Sequence, residues 1–213
     1  MSRRGARSAA GTAGRGRAAR LLAVVAGLAA LLLAAAPAAA DGYGQSEARP
    51  RRGGFALGLG LGPSLFLGTG ELDSKKGVGG DLNIRVGTSA TPDLLWQLEL
   101  EGGGYLVNLK DEAGSETIFN SHATLTLGAQ VYVREVLWLR AGLGAATFRE
   151  QEGRNGPERE GTRRNGPAVI VGGGYDLFRR GIFALDVELV ATGALFDGGF
   201  IGHSALLLGL MWY

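Results

Sequence analysis

The sequence of 213 residues contains no cysteine, which excludes disulfide bonds and thiolate metal sites. It contains only two histidines, and no cluster of metal-ligand residues is visible, so we expect neither a metal nor a cofactor. After residue 40, no stretch approaches the roughly 18 consecutive apolar residues that would indicate a membrane-spanning helix. The folded part of the chain must therefore be stable without covalent or thiolate cross-links.

Residues 1–40 have the composition of a secretory signal peptide. Arginines without any acid precede an apolar run from Leu21 to Ala36, and a proline and three alanines follow the run. A basic start, an apolar centre and small residues at the end predict cleavage after Ala40. An uncleaved membrane anchor is the alternative, because the run is nearly long enough to span a bilayer. We then expect a flexible, polar N-terminal tail over 41–54 and one folded domain over 55–213.

Removal of the signal peptide changes the sign of the net charge. The whole sequence carries 22 basic and 20 acidic residues, which gives a formal net charge of +2. Every charged residue of the signal peptide is an arginine, and there are enough of them to leave the mature chain net acidic. The basic character of the full sequence therefore gives no reason to expect a nucleic-acid partner.

Apolar and polar residues alternate in eight segments after residue 54. In the segment 182–192, one parity is apolar throughout, and the other parity has Asp186 and Glu188 at its centre. Because successive side chains of a strand point to opposite faces, this alternation predicts a β-strand with one apolar face. The predicted strands are 55–62, 78–86, 96–105, 122–131, 137–146, 168–176, 182–192 and 202–213.

The predicted connections alternate between long and tight. Tight turns begin near residues 89, 133 and 178, and the longest loop covers 149–167, where the sequence RNGP occurs twice. We expect Pro63 to end the first strand, and the glycine-rich sixth strand leaves its parity open. An even number of strands with short turns at one end and longer loops at the other is typical of bacterial outer-membrane barrels.

The polar faces of these strands indicate which side of the sheet is outside. They are rich in glycine, alanine and threonine and contain no lysine, and their charges lie in the middle of the strands. Aromatic residues, including Tyr132 and Trp138, collect near strand ends, as interface girdles do. We therefore predict an apolar face towards lipid and a polar face towards the lumen. The predicted lumen charge network comprises Asp81, Arg85, Glu99, Glu101, Arg140, Asp186 and Glu188.

The last strand carries a more specific resemblance. The segment from Ala205 to Tyr213 ends in an aromatic residue after alternating apolar positions. It resembles the C-terminal strand signal of bacterial outer-membrane β-barrel proteins, and the signal residues are Leu207, Gly209, Met211 and Tyr213. Over residues 55–213 the chain resembles the small eight-stranded members of that family.

This resemblance implies an all-β fold, an eight-stranded antiparallel up-and-down transmembrane β-barrel. It also implies a location in the cell outer membrane, which the chain reaches after export directed by the signal peptide. The expected surroundings are outer-membrane lipid and lipopolysaccharide. The expected partners during biogenesis are the barrel-assembly machinery and periplasmic chaperones.

We expect a non-enzymatic role in envelope structure or in surface interaction through the loops, with a lumen closed by salt bridges. No catalytic residue is predicted, because His203 and Ser204 are adjacent in a strand and point to opposite faces, and no serine pairs with His122. The alternatives are a narrow channel for small solutes, a lipid-modifying outer-membrane enzyme, and a soluble periplasmic lipid binder of the lipocalin type.

Overall fold

The computed structural model of the protein describes residues 53–73, 75–111, 114–153 and 162–213. The predicted signal peptide, most of the predicted tail and the first RNGP copy lie outside the described residues. Eight strands form the fold. Their bounds are β1 Phe55–Gly70, β2 Gly77–Thr91, β3 Leu94–Asp111, β4 Gly114–Tyr132, β5 Leu137–Gly153, β6 Arg163–Arg180, β7 Phe183–Phe196 and β8 Gly199–Trp212.

The strands form one closed barrel in which each strand is antiparallel to its neighbours in the chain and β1 pairs with β8. The connections at 92–93, 133–136 and 181–182 lie at the same end as the start of β1 and the end of β8, which we call the turn end. The opposite end, with the other four connections, is the loop end. Within the described residues, no helix is long and apolar enough to cross a membrane.

The alternation in the sequence becomes an outer apolar face and an inner polar face. Leucines such as Leu61, Leu127 and Leu189 are exposed on the outside, whereas Glu101 and Glu188 are fully buried inside. This order is that of a transmembrane barrel, which presents apolar side chains to lipid. The predicted fold class is therefore confirmed, and the lipocalin-like alternative, which requires an apolar lumen, is excluded.

The strands are longer than the alternation predicts, because they contain between 14 and 19 residues. The charged segment 108–116, which the sequence placed in a loop between the third and fourth predicted strands, is mostly strand, since β3 and β4 pair as far as Asp111 and Gly114. The predicted loop over 149–167 is also wrong at both ends, because β5 and β6 pair as far as Arg149 and Arg163. Ladder hydrogen bonds join backbone groups, so pairing continues where the side-chain alternation has stopped.

The prediction that Pro63 ends the first strand is wrong. β1 continues through Pro63, which pairs with Gly80 of β2, and it runs on to Gly70. On the other side of β1, the register with β8 is interrupted between Leu61 and Ser64. Proline has no N–H to donate, so the strand loses pairing locally on that side without ending.

Glycines leave the parity of β6 open in the sequence, and a β-bulge follows them. The register with β7 shifts between Asp176 and Phe178, so Leu177 is an extra residue. Leu177 and Phe178 are consecutive and both exposed, at 55% and 51%. Before the bulge, Ile170 and Asp176 face inwards, and the intervening glycines carry no side chain that could show a parity in the sequence.

Apolar layers close the interior at both ends. At the turn end, Ala56, Leu95, Ala184 and Met211 pack together. At the loop end, a larger layer is formed by Leu72, Ala146, Phe148, Ala168, Ala194, Phe196 and Ile201. The charged side chains lie between these layers. An eight-stranded barrel is just wide enough for its own side chains, so such layers fill its cross-section.

We predict that Leu127→Arg destabilises the barrel by about 2–4 kcal/mol, because an arginine at the bilayer midplane must be removed from water. Leu127 is 64% exposed on the outer face and pairs with Leu98 and Leu143 on the adjacent strands. Val78→Arg is the matched control. Val78 is 73% exposed beside the loop-end start of β2, where the cost should fall to about 0–1 kcal/mol.

The measurement is urea unfolding in lipid vesicles, followed by the mobility shift on heating in SDS. Equal costs for the two substitutions would contradict the assignment of this face to lipid, because only a bilayer makes the cost depend on depth.

Candidate functional site

The seven charged residues predicted to line the lumen all lie inside the barrel, each at most 2% exposed. The structure divides six of them into two groups. The arginine cluster, nearer the turn end, consists of Arg85, Glu99, Arg140 and Glu188. The histidine cluster lies nearer the loop end. It consists of the predicted residues Asp81 and Glu101 together with both histidines of the sequence, His122 and His203. The seventh residue, Asp186, lies two positions from Glu188 on β7.

Ion pairs across the lumen hold the arginine cluster together. Arg140 Nη2 lies 3.0 Å from Glu99 Oε1, and Arg140 Nη1 lies 3.0 Å from Glu188 Oε2. Arg85 donates to Glu188 and lies 3.4 Å from the acceptor oxygen of Gln130. The guanidinium nitrogens of Arg140 are close enough to these carboxylates for ion pairs, but their geometry does not meet the criteria of a hydrogen bond. Each glutamate therefore has an arginine within contact distance, which offsets the cost of burying its charge.

Trp138 lies at the centre of this cluster, although the sequence placed it in an interface girdle. It is 0% exposed, and the guanidinium carbons of Arg85 and Arg140 lie 5.5 and 5.4 Å from its ring centroid. Its indole N–H donates to Asp176 Oδ1 at 3.2 Å. A Cβ atom at Gly174 would collide with the indole ring, so this glycine makes the space for it. The girdle prediction is wrong for Trp138, and its shared parity with Arg140 is the signal that could have corrected it.

Tyr132 is a second aromatic residue that the girdle prediction misplaced. It is buried inside the turn end, where its hydroxyl is hydrogen-bonded to the hydroxyl of Tyr213. Arg179 Cζ lies 5.4 Å from the centroid of its ring. These contacts close the turn end of the lumen below the arginine cluster.

The structure places the predicted insertion-signal residues on the inner parity of β8. Leu207 and Met211 are buried in the interior, and Gly209 leaves room for the carboxylates of Asp186 and Glu188. The residues that alternate with them along β8 face lipid instead: Leu206, Leu208, Leu210 and Trp212. The insertion signal itself stays a prediction.

The histidine cluster brings together residues that are far apart in the sequence. Glu101, His122 and His203 each offer a ligand atom, and these three atoms lie within 4.8 Å of one another. The imidazole centroids of the two histidines are 4.5 Å apart. The expectation that no metal-ligand cluster exists is therefore wrong. The alternation in the sequence predicts that Glu101 and His122 face the lumen. His203 comes to lie beside them only because β8 closes the barrel by pairing with β1.

The groups around the cluster fix its orientation. Thr124 and Thr192 both donate to Glu101 Oε2, at 3.2 and 2.5 Å. The other oxygen, Oε1, lies 3.3 Å from His203 Nδ1. On the far side of the ring, His203 Nε2 lies 3.8 Å from Asp81 Oδ2. The Glu101 carboxylate is therefore held from one side and faces the histidines with the other.

Aromatic rings enclose the cluster. The ring centroid of Phe66 lies 4.6 Å from that of His203, 5.5 Å from that of His122 and 4.8 Å from that of Tyr105. A cavity of about 630 Å³ is lined by His122 and Asp81 of the interior and also by Ser121, Arg149 and Arg163 of the outer wall at the loop end. The cluster is thus buried, and two of its residues, His122 and Asp81, border this cavity.

The arrangement does not form a nucleophile and base. His203 is buried in the lumen, whereas Ser204 faces the opposite side of β8, where it pairs with Leu65 and Ala191. A serine nucleophile needs its base within hydrogen-bond reach, so these two residues cannot act together.

No protein-family model and no curated protein sequence matches this chain. Solved structures do resemble it. Ail of Yersinia pestis, crystallised with the heparin analogue sucrose octasulfate, superimposes with a TM-score of 0.51 at 16% identity, covering 75% of this chain and 99% of Ail.

Neisserial surface protein A gives a TM-score of 0.46 at 13% identity, with 74% and 96% of the two chains covered. OprG, an outer membrane protein of Pseudomonas aeruginosa, gives 0.45 at 14% identity, with 77% and 97% covered. At 16% identity the likeness to Ail concerns the fold alone, and it agrees with the closed, antiparallel eight-stranded topology described above. The chain has the fold of the small eight-stranded outer-membrane β-barrels.

Proposed function

We propose that the protein is a non-enzymatic, non-conducting barrel of the cell outer membrane, which contributes to envelope structure or to surface interaction through its loops. The signal peptide directs its export, and periplasmic chaperones and the barrel-assembly machinery deliver it to the membrane. One observation carries the proposal: the interior is filled with contacting side chains from the turn end to the loop end.

The closure includes four successive layers, and a further apolar cluster of Ile170, Val190, Ala205 and Leu207 packs inside the barrel. The apolar layer of the turn end is followed by the arginine cluster, then by the histidine cluster, and then by the apolar layer of the loop end. The largest fully buried side chain, Trp138, lies in the second layer between two guanidinium groups. A passing solute would have to displace these side chains, because an eight-stranded barrel has no spare width.

The charges of the arginine cluster support closure more than conduction. A conducting pore binds an ion weakly enough to release it and keeps water along its path. Here the arginines contact glutamates of strands across the lumen, and all of these side chains are at most 2% exposed. Separating them would leave uncompensated charges in a dry interior.

Lipopolysaccharide is the surface partner that the outer wall of the loop end suits. Arg149 and Arg163 are register partners on β5 and β6, and both are exposed on the outer face. Arg163 Nε also donates to Thr147 Oγ1 at 3.2 Å, which orients its side chain. Arginine binds phosphate groups in a bidentate manner, so this pair matches the phosphates of lipopolysaccharide above the apolar band.

We predict that the wild-type protein shows no discrete conductance steps in planar bilayers, whereas Trp138→Ala, which removes the largest buried side chain of the lumen, does. Insertion of both proteins is checked by flotation with vesicles and by the mobility shift on heating. Steady conductance of the inserted wild-type protein would refute a closed lumen.

We also predict that Arg140→Leu lowers the free energy of unfolding by about 3–5 kcal/mol, since it leaves Glu99 and Glu188 short of a positive partner in the interior. The exposed turn-end residue Arg180 serves as control, and Arg180→Leu should change stability by less than about 0.5 kcal/mol. In a double-mutant cycle, Glu99→Gln should cost less in the Arg140→Leu background than alone. Additive costs would show that the ion pair contributes nothing.

A further inference from the structure

We propose that Glu101, His122 and His203 bind a divalent transition-metal ion inside the barrel, and that zinc is the ion whose chemistry the three ligands fit best. The site would tie β3, β4 and β8 together across the lumen. It does not depend on whether the lumen conducts.

The spacing of the three side chains is the first support. Their ligand atoms lie within 4.8 Å of one another, and His203 Nδ1 is already 3.3 Å from Glu101 Oε1. Ligands of one tetrahedral zinc ion, each about 2.0–2.2 Å from the metal, are separated by roughly 3.3–3.5 Å. The separation of His203 Nδ1 and Glu101 Oε1 already matches this spacing, and the widest of the three separations must shorten for all three atoms to bind one ion.

The second support is that His122 is buried without a hydrogen bond. Its side chain is 4% exposed, and neither ring nitrogen has a hydrogen-bond partner among the described residues. A buried imidazole without any partner is costly, and native structures rarely retain one. Coordination of a metal would satisfy one nitrogen of this ring.

The third support is the charge of the cluster. Within the part of the chain that the structure describes, the ion-pair contacts of Asp81 and Glu101 are with His203 alone. Glu99 and Glu188, by contrast, each contact an arginine. A divalent cation would place a permanent positive charge next to the Glu101 carboxylate in the interior.

The neighbouring groups have the arrangement of an outer shell. Thr124 and Thr192 hold Glu101 Oε2, which directs Oε1 towards the histidines. If His203 coordinates through Nδ1, its Nε2 is left on the side of Asp81, whose Oδ2 lies 3.8 Å away. A carboxylate that accepts the second N–H of a metal-bound histidine fixes its tautomer and raises its basicity. We therefore assign Asp81 as a positioning residue.

The ligand types define the class of ion. Two imidazoles and one carboxylate suit zinc and its neighbours in the transition series, whereas magnesium and calcium prefer oxygen ligands alone. Three protein ligands leave a fourth position for water. His122 and Asp81 also border the cavity described above.

The test uses untagged protein purified in detergent, stripped with chelator and titrated with zinc or with cobalt(II) as a spectroscopic substitute. We expect one tightly held ion per chain, the visible spectrum of tetrahedral cobalt, and a rise in the urea midpoint of unfolding. Glu101→Gln, His122→Asn and His203→Asn should each abolish this uptake, and Asp81→Asn should weaken it about 10- to 100-fold. Asp186→Asn changes a buried carboxylate outside the cluster and should leave uptake unchanged.

A second measurement needs no variant. The sequence contains only two histidines, so the imidazole NMR signals of the wild-type protein report on this site alone. Zinc should shift both sets of signals. The proposal is overturned if the folded protein takes up no stoichiometric ion, whether zinc is added during or after refolding. It is also overturned if uptake leaves both imidazoles unchanged, because the ion would then be held elsewhere.

Discussion

Closure of the hydrogen-bonded ladder is the constraint on which the rest of this structure depends. A sheet in lipid cannot leave edge groups unpaired, so β1 must pair with β8 and the barrel must close. With eight strands, closure fixes a lumen about as wide as the side chains that point into it. The alternation of residues then has two separate consequences. The outer parity has to be apolar along the membrane, whereas the inner parity has to fill a narrow space whatever its polarity.

Filling this space with charged residues is possible because glycines face the largest side chains. Gly174 lies against Trp138, and Gly209 lies against Asp186 and Glu188, so that a side chain at either glycine would occupy the space they need. A buried charge also needs a partner. Here the closest ion pairs join strands that are not neighbours in the sheet: Arg85 on β2 contacts Glu188 on β7, and Arg140 on β5 contacts Glu99 on β3.

Alternation in the sequence predicts which face of a strand a side chain occupies. It does not predict where strands end or which residues meet when the barrel closes. Alternation alone placed Asp186 and Glu188 on the inner face, and it separated His203 from Ser204 correctly. It could not show where a strand ends, because backbone pairing continues through Pro63 and beyond the apolar band. It could not resolve β6, where glycines hide the parity and a bulge at Leu177 then shifts it. The histidine cluster was missed for a different reason, since Glu101 and His203 meet only across the closed barrel.

The two polar clusters differ in how their charges are compensated, and this difference separates their roles. The ladder connects each strand only to its neighbours, so contacts across the lumen are what resist flattening of the barrel cross-section. In the arginine cluster, permanent cations provide these contacts, and the layer is complete as it stands. In the histidine cluster, two carboxylates and two imidazoles converge, and no arginine or lysine among the described residues forms an ion pair with them. A metal ion there would perform for β3, β4 and β8 the cross-linking that Arg140 performs for β3, β5 and β7. The ion pairs that close the lumen and a bound metal ion would therefore both stabilise the barrel by joining strands across the lumen.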